Sequence, residues 1–178
     1  MKLARPWLIA ACLAVTVAAA ACSFALSTPT TATTGRDPRS SAASPLLCRA
    51  AALVDRLVVY RIDAIPQNRI RLSFPAVVTV SRAASTRDVA EALCALPKMP
   101  SGKFLCPADF GISYGLRLFA ADRGFPSVDV EVGGCETVTG LGPTRWVATT
   151  QAFWRELGTA MGLTNPDQKT FAGTFPDA

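Results

Sequence analysis

The sequence contains no histidine, and this absence limits the chemistry that the chain can perform. Nucleophilic triads of the Ser-His-Asp or Cys-His kind need an imidazole base, and most zinc sites use at least one imidazole ligand. Carboxylate chemistry remains, since Asp129 and Glu131 lie two residues apart on one strand face, a spacing that suits an acid–base pair or a cation site. Outward polar residues are also the ordinary pattern of a half-exposed strand, so we interpret the pair as a solvated face. We therefore expect a non-enzymatic protein without cofactor or metal, with a histidine-free carboxylate hydrolase as an alternative.

Cysteine is the other residue type that carries chemistry, and its six positions indicate an oxidising compartment. Two of them, Cys12 and Cys22, lie in or directly after an apolar N-terminal segment. The remaining four form two disulfides with no odd thiol, as expected of an exported protein: Cys48, Cys94, Cys106 and Cys135. We favour a bond between Cys106 and Cys135, which leaves Cys48 to pair with Cys94. A bond between Cys94 and Cys106 is the main alternative.

The first 21 residues have the pattern of a secretory signal peptide. Lys2 and Arg5 give a positively charged start, and an apolar run over residues 7–21 ends in small residues. The motif Ala-Ala-Ala-Cys at residues 19–22 looks like the lipobox of bacterial lipoproteins, in which the cysteine receives lipid. Lipidation of Cys22 also leaves an even number of cysteines, so we favour it over simple secretion. An uncleaved membrane span, with the apolar run extended to Leu26, is a further alternative.

Composition divides the rest of the chain into a spacer, a domain and a tail. Residues 22–45 start at Cys22 and are rich in Ser, Thr, Ala and Pro without an apolar period, which predicts a flexible spacer. Residues 46–164 carry periodic apolar patterns and are long enough for a single domain with its own core. Residues 165–178 are mostly polar and contain Pro166 and Pro176, which predicts a flexible tail.

The charge pattern gives no indication of a nucleic-acid partner. Eighteen basic and 13 acidic residues give a net charge of +5, and two of the basic residues, Lys2 and Arg5, belong to the signal peptide. No run of five or six like charges occurs, and the densest basic feature is the pair Arg69 and Arg71. We expect no binding to nucleic acid, and contact with the membrane through the lipid on Cys22.

The clearest strand pattern lies between Cys106 and Cys135. Apolar residues occupy alternate positions on both sides of a short polar turn: Ile112, Tyr114, Leu116 and Leu118 before it, and Val128, Val130 and Val132 after it. Two such strands around a short turn pair antiparallel. A disulfide between the flanking cysteines would therefore close a hairpin.

Further elements complete the predicted fold. We expect a short helix or an irregular covering segment over residues 46–52, a strand over residues 57–62, and a bent or broken strand over residues 69–81 with Pro75 at the break. A helix over residues 86–96 follows, capped by Ser85 and stopped by Pro97. The final helix, over residues 150–161, buries Trp154 in its apolar stripe. Strands, helix, hairpin and helix in this order predict an α+β domain with a mainly antiparallel sheet, two packed helices and two disulfides.

Two resemblances add to this interpretation. The lipobox-like signal, the Ser/Thr spacer and the motifs ALCALPKMPSG, CPADFGISYGLRLF, GGC and GLGPTRW together resemble small secreted lipoproteins predicted from actinobacterial genomes. That resemblance covers most of the chain and implies an envelope location but no reaction. Locally, Cys106-Pro107, a hairpin and a closing Cys135 are similar to the second disulfide region of the subtilisin inhibitor family. There the residues after Cys-Pro bind the protease, which implies that Ala108 and Asp109 flank the reactive bond.

These observations favour an exported, lipid-anchored, non-enzymatic binding module of the cell envelope. The most promising contact segment is the short loop that leaves the predicted disulfide: Pro107, Ala108, Asp109 and Phe110. A protease inhibitor that uses the same loop is the alternative hypothesis, and the carboxylate hydrolase is a third.

Replacing Cys22 with serine tests the anchor. We expect Cys22→Ser to move the protein from membranes to the soluble fraction, because serine does not accept the lipid that would hold the chain there. Fractionation with immunoblotting measures this shift. The matched control is Cys12→Ser, a change inside the signal peptide that should leave the protein on the membrane. Unchanged membrane retention of the Cys22→Ser protein would contradict the anchor.

Overall fold

A seven-stranded antiparallel sheet is the main feature of the part of the chain that the computed structural model describes, residues 46–148 and 150–176. Its strands are β1 (Arg56–Asp63), β2 (Val77–Val80), β3 (Ile112–Ala120), β4 (Arg123–Gly124), β5 (Val128–Glu131), β6 (Thr137–Thr139) and β7 (Arg145–Trp146). The strand order is β2-β1-β3-β5-β6-β7, with β4 paired to β3. The predicted α+β domain is confirmed. The signal peptide, Cys22 and the spacer lie outside the described residues.

Strand β3 lies inside the sheet and forms the predicted hairpin with β5. Tyr114 pairs with Val130, so the apolar residues of both strands share one face. The turn between β3 and β4 is tight because Ala121 and Asp122 both adopt positive φ, 46° and 64°. On its other side, β3 pairs with β1 along the whole length of β1.

Two helices, α1 (Ala83–Ala95) and α2 (Gln151–Ala160), contribute the other half of the core. The inward side chains of three strands are buried, as their alternation predicts: Leu57 and Val59 of β1, Tyr114, Leu116 and Leu118 of β3, and Val128 and Val130 of β5. The helices add Val89, Leu93, Phe153, Trp154 and Leu157. Burial of each such side chain contributes on the order of 1.5 to 3 kcal/mol. The prediction that Trp154 belongs to the core is confirmed.

Gly115 leaves room for an aromatic ring on the outer face of the sheet. A Cβ at this position would overlap the ring of Tyr60 on β1, so the ring lies directly over the Gly115 backbone. The Tyr60 hydroxyl shares a hydrogen bond of 2.9 Å with the Ser127 hydroxyl. A larger residue in place of Gly115 would displace this ring.

A disulfide joins the first described residues to α1. Residues 46–49 are helical and Ala51–Leu53 form a 3-10 helix, in agreement with the predicted short helix. Cys48 pairs with Cys94 as predicted, with a Cα–Cα distance of 5.5 Å. Closing a loop of this length stabilises the fold by about 4 kcal/mol on the chain-entropy model.

The first half of the strand predicted over residues 69–81 is not a strand. Arg69 adopts a left-handed conformation with φ 48°, and Arg71 makes only an isolated bridge, to Thr174. Pro75 has no N–H to donate, and β2 starts only after it. The apolar alternation of this segment instead reflects packing, because Phe74 is buried and Leu72 partly buried.

The predicted cap of α1 is also wrong. The helix begins at Ala83, before Ser85, and its N-cap residue makes no side-chain cap hydrogen bond. The buried hydroxyl of Thr86 lies within hydrogen-bond distance of two carbonyl oxygens, that of Ala83 at 3.0 Å and that of Val54 at 3.2 Å. The second contact joins the start of α1 to the segment before β1.

The predicted flexible tail contains a helix that enters the core. In α3 (Gln168–Ala172), the N-cap carboxylate of Asp167 accepts the Thr170 backbone N–H at 2.8 Å, and this bond lowers the pKa of Asp167. Phe171 is fully buried, with its ring centroid 5.0 Å from that of Trp154. Helices this short are marginal alone, so the buried ring supplies the stabilisation. The flexible-tail prediction is therefore wrong for residues 165–176.

Tyr114 connects α3 to the centre of the sheet. Its hydroxyl donates to the carbonyl of Phe171 at 2.7 Å, and its ring meets the Phe171 ring edge to face at 5.4 Å. Burial raises the pKa of Tyr114, which keeps the hydroxyl protonated as a donor. Phe74 packs against both rings, at 6.1 and 5.5 Å. These contacts hold the C-terminal segment on the core.

Truncation of Phe171 tests this arrangement. We expect Phe171→Ala to lower the free energy of unfolding by about 3 to 5 kcal/mol, because it leaves a cavity among three aromatic rings. Urea denaturation followed by tryptophan fluorescence measures the change. The control is Phe175→Ala, at a side chain that is 50% exposed, where the expected loss is below about 1 kcal/mol. Equal, small losses for both variants would show that the tail is not part of the core.

Candidate functional site

The segment before β3 is an exposed loop, which we name the stapled loop (residues 103–110) because Cys106 within it bonds to Cys135. The two Cα atoms are 4.8 Å apart, and this pairing is the one that the sequence favoured. All eight residues are exposed and none belongs to a helix or strand. Among the described residues, the backbone of residues 103–109 forms no hydrogen bond with other backbone groups. Its N–H and C=O groups are therefore free to pair with another molecule.

Contacts at the C-terminal end of the stapled loop fix its position. The side-chain amide of Asn68 donates to the carbonyl of Phe110 at 2.9 Å, and the Asp109 carboxylate accepts the N–H of Gly111 at 2.9 Å. Gly111 has φ 83°, and a Cβ there would lie 2.6 Å from the side chain of Ile65. Only glycine fits this turn into β3. The stapled loop is thus exposed yet held at its middle and at its end.

Apolar side chains dominate the exposed surface of the stapled loop. Leu105 is fully exposed, and Phe104, Phe110 and the nearby Phe175 expose between 42% and 50% of their surface. Phe110 and Phe175 meet edge to face, with ring centroids 5.0 Å apart. Single exposed apolar residues are ordinary, but a group of this kind on one loop is typical of interaction surfaces.

Two clefts adjoin the stapled loop and share Pro107, Gly134 and Glu136 as lining residues. The aromatic cleft, of about 230 Å³, lies beside Phe104 and Trp146. Their ring centroids are 6.4 Å apart and their planes meet at 44°. It is therefore a small pocket with two aromatic side chains in its wall.

The helix-side cleft, of about 300 Å³, lies between residues 107–110 and α3. Gln168 and Lys169 line it from the helix, and Asp109 and Glu136 line it from the loops. Gln168 is already engaged, since its amide donates to the carbonyl of Val132 at 3.3 Å. One oxygen of Asp109 is engaged with the Gly111 N–H, so both groups serve the local structure.

Glu136 is the most unusual residue of the site. Its backbone has φ 51°, a left-handed conformation that costs a non-glycine residue about 1 to 2 kcal/mol. The conformation is held in part by a bond of 3.0 Å from the Val147 N–H to the Glu136 carbonyl. Its Oε2 atom is buried and has no hydrogen-bond partner among the described residues. Buried carboxylate oxygens normally accept a hydrogen bond, so this oxygen still has the capacity to accept one.

The structure places some of the predicted site residues together at the clefts and others elsewhere. Residues 107–110 lie together at the two clefts, whereas Asp129 and Glu131 are exposed on the outer face of the sheet and line neither cleft. Glu131 accepts a hydrogen bond from the Thr137 hydroxyl at 2.6 Å. The geometry therefore does not favour this pair for acid–base work. Cys22 lies outside the described residues.

Sequence reasoning missed three contributors to the site: Phe104, Leu105 and Glu136. Two adjacent apolar residues directly before Cys106, in a loop that follows Ser-Gly-Lys, were the available signal for the first two. Trp146 is half-buried and lines the aromatic cleft.

Comparison with protein-family models, with curated proteins and with solved structures found no match to this chain. Among the described residues, no cluster of three or more His, Cys, Asp or Glu side chains is arranged to hold a metal ion. No helix in the described ranges has the length and apolar character that crossing a membrane requires. The two disulfides are compatible with an exported protein.

Proposed function

We propose that this protein is an exported, lipid-anchored, non-enzymatic binding module of the cell envelope, and that the stapled loop is its binding element. The observation that carries the proposal is the combination found in residues 103–110: exposed apolar side chains, free backbone groups and a fixed position. The proposed anchor is Cys22, followed by a spacer that ends at the domain. Nucleic acid is not among the proposed partners.

The apolar surface supports binding because Leu105 is fully exposed and Phe104 and Phe110 are each more than two-fifths exposed. Leu105 contributes nothing to the core, and exposing a leucine to water forgoes the 1.5 to 3 kcal/mol, roughly, that its burial would provide. A partner that covers Leu105, Phe104 and Phe110 would recover this free energy. Exposed aromatic and aliphatic side chains beside pockets are also the usual anchors of protein interfaces.

The fixed position of the stapled loop supports binding because the loop is already ordered before a partner binds. A disulfide at Cys106, the Asn68 contact and the Gly111 turn restrict the loop before any partner arrives. A restricted loop loses less conformational entropy on association than a free one, which raises affinity for the same contacts.

Site-specific photocrosslinking in cells tests the proposal. We expect p-benzoylphenylalanine at position 105 of the full chain to give a discrete envelope adduct, and the same group at position 77 to give none. Val77 is a suitable control because it is 59% exposed and lies on edge strand β2, in a different part of the sheet. Excess wild-type protein should compete the adduct away, whereas a Phe104→Ser, Phe110→Ser protein should not. Equal adducts at both positions, or competition by both proteins, would refute the stapled loop as the binding element.

A protease inhibitor is the second candidate, and the exposure of Ala108 and Asp109 directly after Cys106-Pro107 favours it. A disulfide-held loop with free backbone groups suits the strand-like pairing that proteases make with their substrates. We expect stoichiometric inhibition of a serine protease, and we expect Ala108→Arg to shift it toward enzymes that cleave after arginine. Residual activity across a panel of serine proteases measures this. No inhibition by either protein at micromolar concentration would end the inhibitor hypothesis and leave the binding module intact.

A further inference from the structure

The aromatic cleft contains one acidic residue and no basic residue among its described lining residues. Its remaining wall is apolar, with Met99, Phe104, Pro107 and Trp146. Such a lining disfavours an anion and leaves Glu136 as the only charged group. Since a cleft of about 230 Å³ is smaller than the usual site for a drug-sized molecule, about 300 to 1,000 Å³, it suits a single side chain.

The Oε2 atom of Glu136 is buried, and no described residue donates a hydrogen bond to it. None of the described arginine or lysine side chains forms an ion pair with Glu136. Arg145, nine residues away in sequence, donates one guanidinium N–H to the carbonyl of Leu96 at 2.7 Å, while its buried Nε has no acceptor among the described residues. A buried carboxylate oxygen without a donor is unfavourable, so a ligand that donates to it would gain in affinity.

The aromatic walls determine which donor fits best. The side chains of Phe104, Trp146 and Glu136 line the same cleft, and the two aromatic rings are 6.4 Å apart between centroids. Lysine ammonium and arginine guanidinium groups are attracted to aromatic faces and also donate to carboxylates. Their aliphatic stems would lie along the apolar wall of Met99 and Pro107.

We propose that the aromatic cleft binds the cationic side chain, arginine or lysine, of a partner segment that pairs with the stapled loop. The free backbone groups of residues 103–109 lie beside the cleft, because Phe104, Leu105 and Pro107 belong to both. A partner segment can therefore form backbone hydrogen bonds with the loop while one side chain enters the cleft. This inference rests on the proposed function, since it names the kind of partner that the stapled loop binds.

Blocked peptides test the inference on the full chain in detergent. The probes are acetyl-Thr-Val-X-Val-Thr-amide with X as arginine, lysine, norleucine or glutamate, and N-butylguanidinium serves as the free cation. Calorimetry measures affinity, and Trp146 gives a fluorescence signal at the cleft. We expect the arginine and lysine peptides to bind about 10-fold or more tightly than the norleucine peptide, from the typical strength of a charge-assisted hydrogen bond. The glutamate peptide should bind weakest.

Two substitutions and a control locate the effect. Glu136→Gln should abolish the advantage of the cationic peptides, and Trp146→Leu should reduce it while Glu136 remains. Glu131→Gln, which removes a carboxylate on the outer face of the sheet, should leave it unchanged. Thermal melting checks that each variant is folded, and Glu136→Gln is isosteric with the native side chain.

The outcomes distinguish failure of the cation site from failure of the proposed binding module. Equal affinity for all four peptides, an advantage that survives Glu136→Gln, or no binding at millimolar peptide would overturn the cation site. If the crosslink at position 105 forms in those cases, the binding module stands without it. Binding of N-butylguanidinium as tight as that of the arginine peptide would overturn the pairing of a partner segment with the stapled loop, because the backbone of the peptide would then add nothing to affinity. Discrimination among peptides without a crosslink at position 105 supports the cation site and counts against the envelope module.

Discussion

Strand β3 is the constraint on which the rest of the domain depends. It pairs with β1 and with β5, and its inward residues Tyr114, Leu116 and Leu118 are completely buried. The Tyr114 hydroxyl also reaches the carbonyl of Phe171, so the same strand holds the C-terminal helix. Because β3 starts two residues after Phe110, its place in the sheet fixes where the stapled loop ends. Strand β3 therefore connects the sheet, the C-terminal helix and the end of the stapled loop.

Period-2 alternation was sufficient to predict the hairpin, because half-exposed strands must place every second residue in the core. The same alternation was misleading for residues 69–76. Phe74 is buried there, although the segment does not pair with a strand along its length. The tail shows the opposite error. Two phenylalanines among mostly polar residues form no clear period, yet Phe171 fills a space between rings that come from distant parts of the chain. Such packing depends on tertiary contacts that a local pattern does not contain.

The candidate site likewise contains features that the sequence predicted and features that it did not. Cysteine parity and the hairpin pattern were enough to predict both disulfides and so the position of residues 107–110. Glu136 gave no signal, because an acidic residue after a cysteine is ordinary in a loop. Its left-handed φ accompanies a backbone hydrogen bond from Val147, and its Oε2 atom is buried by the folded chain around it. Both are consequences of long-range contacts, which no spacing rule anticipates.

Two departures from ordinary folding rules lie on either side of one disulfide. Exposed apolar side chains lie next to Cys106, and the strained residue with the unpartnered oxygen follows Cys135 directly. Natural sequences usually retain local conflicts where a function needs them. Because the disulfide joins the stapled loop to the neighbour of Glu136, it sets the position of the loop relative to the carboxylate. On the proposed function, the bond therefore sets the geometry of recognition in addition to stabilising the fold.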